Sequence, residues 1–152
     1  MSQSDSKEGF MEVFQDYAYY YNSFYKEKDY RAEAGCVDKI LKRYDARIKN
    51  LINFGCGTGK HDIELAELGY HCKGIDISPL MIDIAKKNAS LAGNSFEFEV
   101  ADIRDYTEEK KYDAVISLFH VMSYQITNDD ILRAFKAARK VLNSVDKTGY
   151  FL

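Results

Sequence analysis

Tryptophan is absent from this 152-residue chain, proline occurs once, and cysteine occurs only three times. The cysteines, Cys36, Cys56 and Cys72, sit inside apolar stretches and form no C-x-x-C pair, so neither a metal site nor a disulfide framework is indicated. No apolar run approaches the ~20 residues that a membrane-spanning helix needs. The first nine residues are polar and show no apolar segment after a basic start, so no secretory leader is visible. The cytoplasm is the expected compartment, with no membrane partner. Basic charge is not in excess either: 21 Lys and Arg against 24 Asp and Glu leave a formal net charge of −3. No Lys/Arg run supplies the basic face expected of a protein that rides on phosphate backbones, which weighs against nucleic acid as a partner.

What the chain does contain is ordinary for a folded protein. Hydrophobic residues make up 46% and charged residues 30%, a balance that favours a packed core over disorder. Its length suits a single domain. Tyrosine is the one abundance, with twelve residues, many of them between positions 17 and 30.

From residue 50 onward, strand and helix patterns alternate. Residues 51–54 form a short apolar run that ends at glycines, as a buried strand does. Residues 60–68 read as a short amphipathic helix closed by Gly69. A second strand follows at 72–77, then Ser78 and Pro79 open a helix that runs to about residue 91. Strands are expected at 96–100 and 112–119. A last helix, capped by Asn128, Asp129 and Asp130, carries Ile131, Leu132, Phe135, Ala138 and Leu142 on its apolar face. Residues 149–152 begin a fifth strand.

This repetition predicts an α/β fold: a Rossmann-like, doubly wound, mostly parallel sheet with right-handed crossovers and helices on both faces. Residues 46–152 would form that core. Residues 1–45, with helices at 10–25 and 31–42, would form a helical lid or cap. The fifth strand ends abruptly, so the sheet is expected to be incomplete there. Its exposed edge would favour self-association.

In such a sheet, ligands bind beyond the carboxyl ends of the strands. The first strand runs into Gly55-Cys-Gly-Thr-Gly59, where glycines allow a tight turn with no Cβ between backbone and ligand. The spacing is G-x-G-x-G, with the third glycine one residue earlier than in the dinucleotide pattern G-x-G-x-x-G, which suits a ligand without pyrophosphate. Asp76 lies at the end of the second strand, 17 residues past Gly59. A carboxylate there can accept both ribose hydroxyls of an adenosine, or simply cap the Ser78 helix. Asp102, after the third strand, can accept an adenine amino group beside Ile103, or serve as a turn residue.

At these positions the chain resembles the class I S-adenosylmethionine-dependent methyltransferases. The resemblance runs through Leu51-Ile-Asn-Phe-Gly-Cys-Gly-Thr-Gly59, Gly74-Ile-Asp-Ile-Ser-Pro-Leu-Met81, Val100-Ala-Asp-Ile-Arg-Asp105 and Tyr112-Asp-Ala-Val-Ile-Ser117, and covers most of residues 50–120. It implies S-adenosylmethionine as cofactor and S-adenosylhomocysteine as product. By that resemblance Gly55 and Gly57 face the methionine half, Asp76 takes the ribose and Asp102 the adenine. Phe54, Cys56, Ile77, Met81, Ile103 and Leu118 join them in the cofactor site.

A second resemblance is to the dTDP-amino-sugar N,N-dimethyltransferases. It lies in Tyr20-Tyr-Asn-Ser-Phe-Tyr25, Lys28-Asp-Tyr-Arg-Ala-Glu-Ala34, Gly57-Thr-Gly-Lys-His61 and Ser117-Leu-Phe-His-Val-Met-Ser-Tyr124. It implies a small-molecule acceptor, with Tyr21 and Tyr30 near the cofactor and Tyr124 at the acceptor end. Asn22 departs from that pattern, which has Asp after the tyrosine. The family sheet also has seven strands, where this chain ends at the fifth.

Methyl transfer is an in-line displacement at a sulfonium carbon, so positioning and exclusion of water supply most of the acceleration. An amine acceptor must lose its proton first. His120 is the candidate base by residue type, with Tyr21 and Tyr124 as hydrogen-bonding groups. His120 equally suits a packing role, and most of the tyrosine-rich segment suits the apolar face of a helix. Lys60 and His61 stand near the methionine carboxylate or on a solvated face. The alternatives are a cofactor-binding module without turnover and a macromolecule methyltransferase. Against the latter, the fourth strand ends in Leu118-Phe-His-Val121, not an Asp/Asn-Pro-Pro-Tyr-type motif.

Overall fold

The computed structural model describes residues 28–93, 96–118, 121–125, 127–143 and 150–151. The expected helix at 10–25, with Tyr21, lies outside them, as does His120. The described elements are α1 (Tyr30–Tyr44), β1 (Asn50–Phe54), α2 (Lys60–Glu67), β2 (His71–Asp76), α3 (Pro79–Leu91), β3 (Glu97–Val100), β4 (Ala114–Ile116), α4 (Asn128–Val141) and β5 (Tyr150–Phe151). All strand pairs are parallel, in the order β3-β2-β1-β4-β5. The chain therefore starts in the middle of the sheet, winds outward to β3, and returns across β1 to build the other side. That reversal between β1 and β4 is the switch point at which ligands bind in doubly wound sheets.

Alternation along β1 assigns its residues to two cores. Ile52 and Phe54 join Ile75, Val115, Tyr106 and the small face of α4 on one side of the sheet. Leu51 joins Ala34, Val37, Leu41, Leu65 and Ile116 on the other, where α1 and α2 pack. A third cluster, Cys56, Ile82, Ala85, Ala89 and Phe98, lies under α3. The α1 helix is thus part of the core, docked through residues spaced three and four apart. Truncating the fully buried Leu41 to Ala removes about 2–5 kcal/mol.

The helix starts follow the capping chemistry of the sequence. Asp29 accepts from the Ala32 N–H at 2.8 Å, and Ser78 accepts from the Met81 N–H at 3.3 Å ahead of Pro79. At α4 the cap is Thr127, in a reciprocal box with Asp130, one residue before the expected Asn128.

Two expectations need correction. The fourth strand is only three residues long, Ala114–Ile116, although Tyr112 adds an isolated bridge to Leu142. And α4 buries Ala134, Ala137, Ala138 and Val141, leaving Leu132 and Phe135 about half exposed. The reason is space. The β3-to-β4 crossover, residues 101–113, contains no helix and packs Ile103, Tyr106 and Tyr112 onto that side of the sheet. Tyr106 sits edge-on to Phe54 with ring centroids 5.9 Å apart. With aromatic rings already there, only an alanine face can approach closely. The Tyr106 and Tyr112 hydroxyls both donate to Glu108 at 2.8 and 2.7 Å, and Lys73 pairs with the same carboxylate. The crossover is held by that cluster.

Among the described residues no helix is long and apolar enough to cross a membrane, and no group of His, Cys, Asp and Glu could hold a metal ion.

Candidate functional site

The glycine loop leaves β1 at the switch point. Gly55, Gly57 and Gly59 have φ of 79°, 55° and 70°, in the left-handed region that costs other residues about 1–2 kcal/mol each. Crowding adds a second constraint. A Cβ on Gly55 would lie 2.5 Å from a Val121 methyl, and one on Gly59 would lie 2.7 Å from the Phe98 ring. The Gly55 and Cys56 N–H groups both donate to the Ile75 carbonyl, at 2.8 and 2.9 Å, which folds the loop over the end of β2.

Asp76 anchors this loop. One carboxylate oxygen accepts from the Gly57 N–H at 2.9 Å, the other from the Ser78 N–H at 2.9 Å. Burial pushes its carboxyl above the ordinary range, opposed by these two backbone bonds. A carboxylate offers about four acceptor positions, so lone pairs remain on both oxygens. Helix capping and ligand acceptance are therefore compatible in one residue. Ile77, just beyond the strand, is 64% exposed and presents apolar surface beside that carboxylate.

The exit of β3 is bonded to the exit of β2, the Ala101 N–H donating to the Asp76 carbonyl at 2.9 Å. Asp102 follows at once. Its carboxylate is gripped by Arg104, through Nε at 2.9 and 3.0 Å and through the backbone N–H at 2.9 Å. The Arg104 hydrogen bonds hold this carboxyl below the usual range.

Several other candidates turn their side chains inward. Phe54 is fully buried with its ring against Tyr106, and its carbonyl accepts from Ser117 Oγ at 2.9 Å. Cys56 is buried with its sulfur against Gly74, and burial pushes its thiol far above the ordinary range. Ile103 and Met81 are buried as well, and Leu118 packs against the α1–α2 cluster. For Phe54 and Ile103 in particular, a ligand contact would be made by backbone atoms. Tyr124 belongs to a short 3-10 turn, Val121–Tyr124, whose Val121 crowds Gly55.

On the other side of the loop, the N-terminal turns of α1 and α2 meet around Tyr30. The Lys28 and Lys60 ammonium groups lie 5.3 and 5.1 Å from its ring centroid. The His61 ring meets it edge-on at 4.8 Å. His61 Nε2 is 2.8 Å from a Glu33 oxygen, and burial keeps the imidazole below its usual pKa. Glu33 already supplies a carboxylate here, 3.6 Å from Lys28 Nζ and 2.8 Å from His61 Nε2, and Lys60 is the cation placed to meet a ligand carboxylate next to the glycine loop.

Sequence reasoning missed five participants. Glu33 and Lys28 join the Tyr30 cluster only because α1 docks on α2. Arg104 was legible as a basic residue two positions after Asp102, but its grip on that acid was not. The Asn53–Asp62 pair was overlooked: Asn53 Nδ2 donates to Asp62 Oδ2 at 2.9 Å in the core beneath the loop. A polar residue in an otherwise apolar strand was the available signal.

A parallel 3-2-1-4-5 sheet, a glycine loop spaced G-x-G-x-G, and acids at the next two strand ends define a Rossmann-like adenosyl-binding core. Residues 52–144 match the family described as Methyltransferase domain, and the chain belongs to that family. Such domains take S-adenosylmethionine, and the donor set above fits it. Among curated relatives, the chain is 28% identical to the dTDP-3-amino-3,4,6-trideoxy-alpha-D-glucopyranose N,N-dimethyltransferase of Streptomyces venezuelae, over 76% of this chain and 48% of that protein. It is 31% identical to the tRNA (uracil(54)-C(5))-methyltransferase of Pyrococcus abyssi, over 66% of this chain and 24% of that protein. Among solved structures, Streptomyces venezuelae DesVI superposes with a TM-score of 0.74 at 25% identity, over 81% of this chain and 51% of that one. The chain spans about half the length of the curated dimethyltransferases it matches.

Proposed function

We propose that this chain forms the cofactor-binding half of an S-adenosylmethionine-dependent methyltransferase that acts on a small molecule, with the amine of a nucleotide-linked amino sugar as the favoured acceptor. The observation that carries the cofactor reading is the junction of the glycine loop with two strand-end acids, Asp76 and Asp102. In this reading the lone pairs left on Asp76 accept the ribose hydroxyls, and Asp102 accepts the adenine amino group. Ile77 covers the adenine face. Lys60, over the Tyr30 ring, receives the methionine carboxylate. When bound, the cofactor supplies a methyl group on a sulfonium, an electrophile with a neutral leaving group. The protein's share is then to hold the acceptor in line, exclude water and take a proton from the amine. His120 is the proposed base, with Tyr21 and Tyr124 orienting the acceptor. Similarity to the Streptomyces venezuelae and Streptomyces fradiae dTDP-amino-sugar dimethyltransferases supports that acceptor class.

Calorimetric titration tests the cofactor reading directly. S-adenosylmethionine should bind and NAD should not, and Asp76→Ala should weaken the former at least about tenfold, as expected for loss of hydrogen bonds to a charged group. Binding of NAD in preference to S-adenosylmethionine overturns the reading. Release of S-adenosylhomocysteine in the presence of dTDP-linked amino sugars tests the acceptor class, on this chain and on a longer one carrying further strands.

A further inference from the structure

The Arg104 guanidinium spans two carboxylates. Its Nε and Nη2 face Asp102, with Nη2 at 2.5 Å from Oδ2, and its Nη1 reaches Asp130 Oδ1 at 3.1 Å. Asp130 is itself fixed as the capping-box partner of Thr127 at the start of α4, accepting from the Thr127 N–H at 3.3 Å and Oγ1 at 3.0 Å. We propose that Arg104 is a positioning residue for the adenine end of the cofactor, presenting the Asp102 carboxylate in one fixed plane and anchoring that plane to α4. This rests on the reading that Asp102 accepts the adenine amino group.

The acceptor arithmetic gives the proposal its content. A carboxylate has about four lone-pair positions. Asp102 Oδ1 takes the Arg104 backbone N–H at 2.9 Å and Nε at 2.9 Å. Oδ2 takes Nη2, with a longer Nε contact at 3.0 Å. The single Nε hydrogen is shared between the two oxygens, so three hydrogens meet about four acceptor positions and one position is left for an N–H donor. An exocyclic amine supplies that donor. A purine carrying a carbonyl oxygen at the same place would set oxygen against carboxylate, leaving both unpaired. Arg104 therefore does more than neutralise Asp102. By holding its orientation and its charge, it turns the carboxylate into a test for an amino group.

The anchor also ties the two ends of the site together. Asp130 fixes the start of α4, and the segment leading into that helix contains Val121, the residue packed against Gly55 of the glycine loop. The guanidinium is a planar fork, and lysine cannot reproduce its contacts to both acids.

The test is calorimetry on the full 152-residue chain with S-adenosylhomocysteine and with S-inosylhomocysteine, which carries oxygen in place of the amino group. The wild-type chain should prefer the adenine compound by at least about tenfold, the discrimination expected where a built hydrogen bond is lost. In Arg104→Gln the affinity for S-adenosylhomocysteine should fall about tenfold and the preference should shrink to a few-fold. Arg104→Lys should fall between the two, because it keeps the charge without the fork. Both ligands are compared on the same variant, so the ratio is independent of any change in folded fraction. An unchanged ratio in Arg104→Gln, with only a lower melting temperature, makes Arg104 a structural brace and overturns the proposal. A wild-type ratio in Arg104→Lys overturns the role of the fork. Asp102→Asn separates the two layers. If it binds and discriminates like the wild type, the adenine role of Asp102 falls and the proposal with it. If it loses discrimination while Arg104→Gln keeps it, only the role of Arg104 falls.

Discussion

Asp62 is the most exacting test of how this core is assembled. It lies in the first turn of α2, fully buried, and Asn53 on β1 donates one hydrogen bond to its Oδ2. Asp62 Oδ1 and Asn53 Oδ1 have no hydrogen-bond partner among the described residues. Burial raises the carboxyl from 3.8 to about 7, against the smaller opposing effect of the Asn53 bond. The folded state therefore holds the Asp62 proton more tightly than the unfolded chain, whose aspartates titrate near 3.9. Below about pH 4 both states are protonated and the group is neutral to folding. Between about pH 4 and 7 the unfolded state ionises first, and stability falls with a slope of about 1.4 kcal/mol per pH unit. By pH 8 the accumulated loss is about 4 kcal/mol for a rise to about 7. Asp62→Asn removes that titration and supplies an N–H for the unpartnered Asn53 oxygen, completing a reciprocal amide pair. Urea denaturation followed by circular dichroism should show the variant level with wild type near pH 4 and more stable by about 4 kcal/mol at pH 8. In melting temperature that is roughly 8–16 °C for a chain of this size. Because His61 and Asp76 titrate in both proteins, the difference between the two curves isolates Asp62. Parallel curves from pH 4 to 8 would refute a protonated Asp62 in the folded state.

Gly55→Ala should cost about 2–4 kcal/mol, combining left-handed backbone strain with overlap on Val121, and should abolish measurable binding of S-adenosylmethionine. Equal stability and affinity in the variant would contradict the crowding seen at this loop. Cys36 is exposed, whereas Cys56 is buried and Cys72 half-buried with burial pushing both thiols well up, so a disulfide-exchange reagent should label Cys36 fastest, Cys72 slowly and Cys56 only after denaturation. Rapid native labelling of Cys56, located by mass spectrometry, would show that the glycine loop is open to solvent there.

The binding pattern was the most legible part of this protein. Glycines that turn left-handed are a local requirement, so Gly55, Gly57 and Gly59 could be read from spacing, whereas the roles of Asp76 and Asp102 came from the resemblance and stand as proposals. Strand and helix order followed from periodicity for the same reason, and Ser78-Pro79 marked its helix start to the residue. Contacts between distant segments were not legible. The exposure of Leu132 and Phe135 depends on aromatic rings that the helix-free crossover brings to the same side of the sheet. Phe54 and Cys56 belong to the site motif, yet their side chains serve the core, because strand alternation and the loop turn point them inward.

The order of elements along the chain and the parallel, doubly wound character of the sheet are properties of the sequence itself. So is the chemical type of each strand-end residue. The strand order 3-2-1-4-5, in contrast, rests on pairings such as β1 with β4 that only folding made. Which of those residues share a hydrogen bond was decided only by folding. Asp76 holding Gly57, Arg104 joining Asp102 to Asp130, and Asn53 sealing Asp62 in the core all link residues from separate elements. Side-chain pairing across elements depends on how strands and helices are laid against each other, and no local pattern encodes that distance.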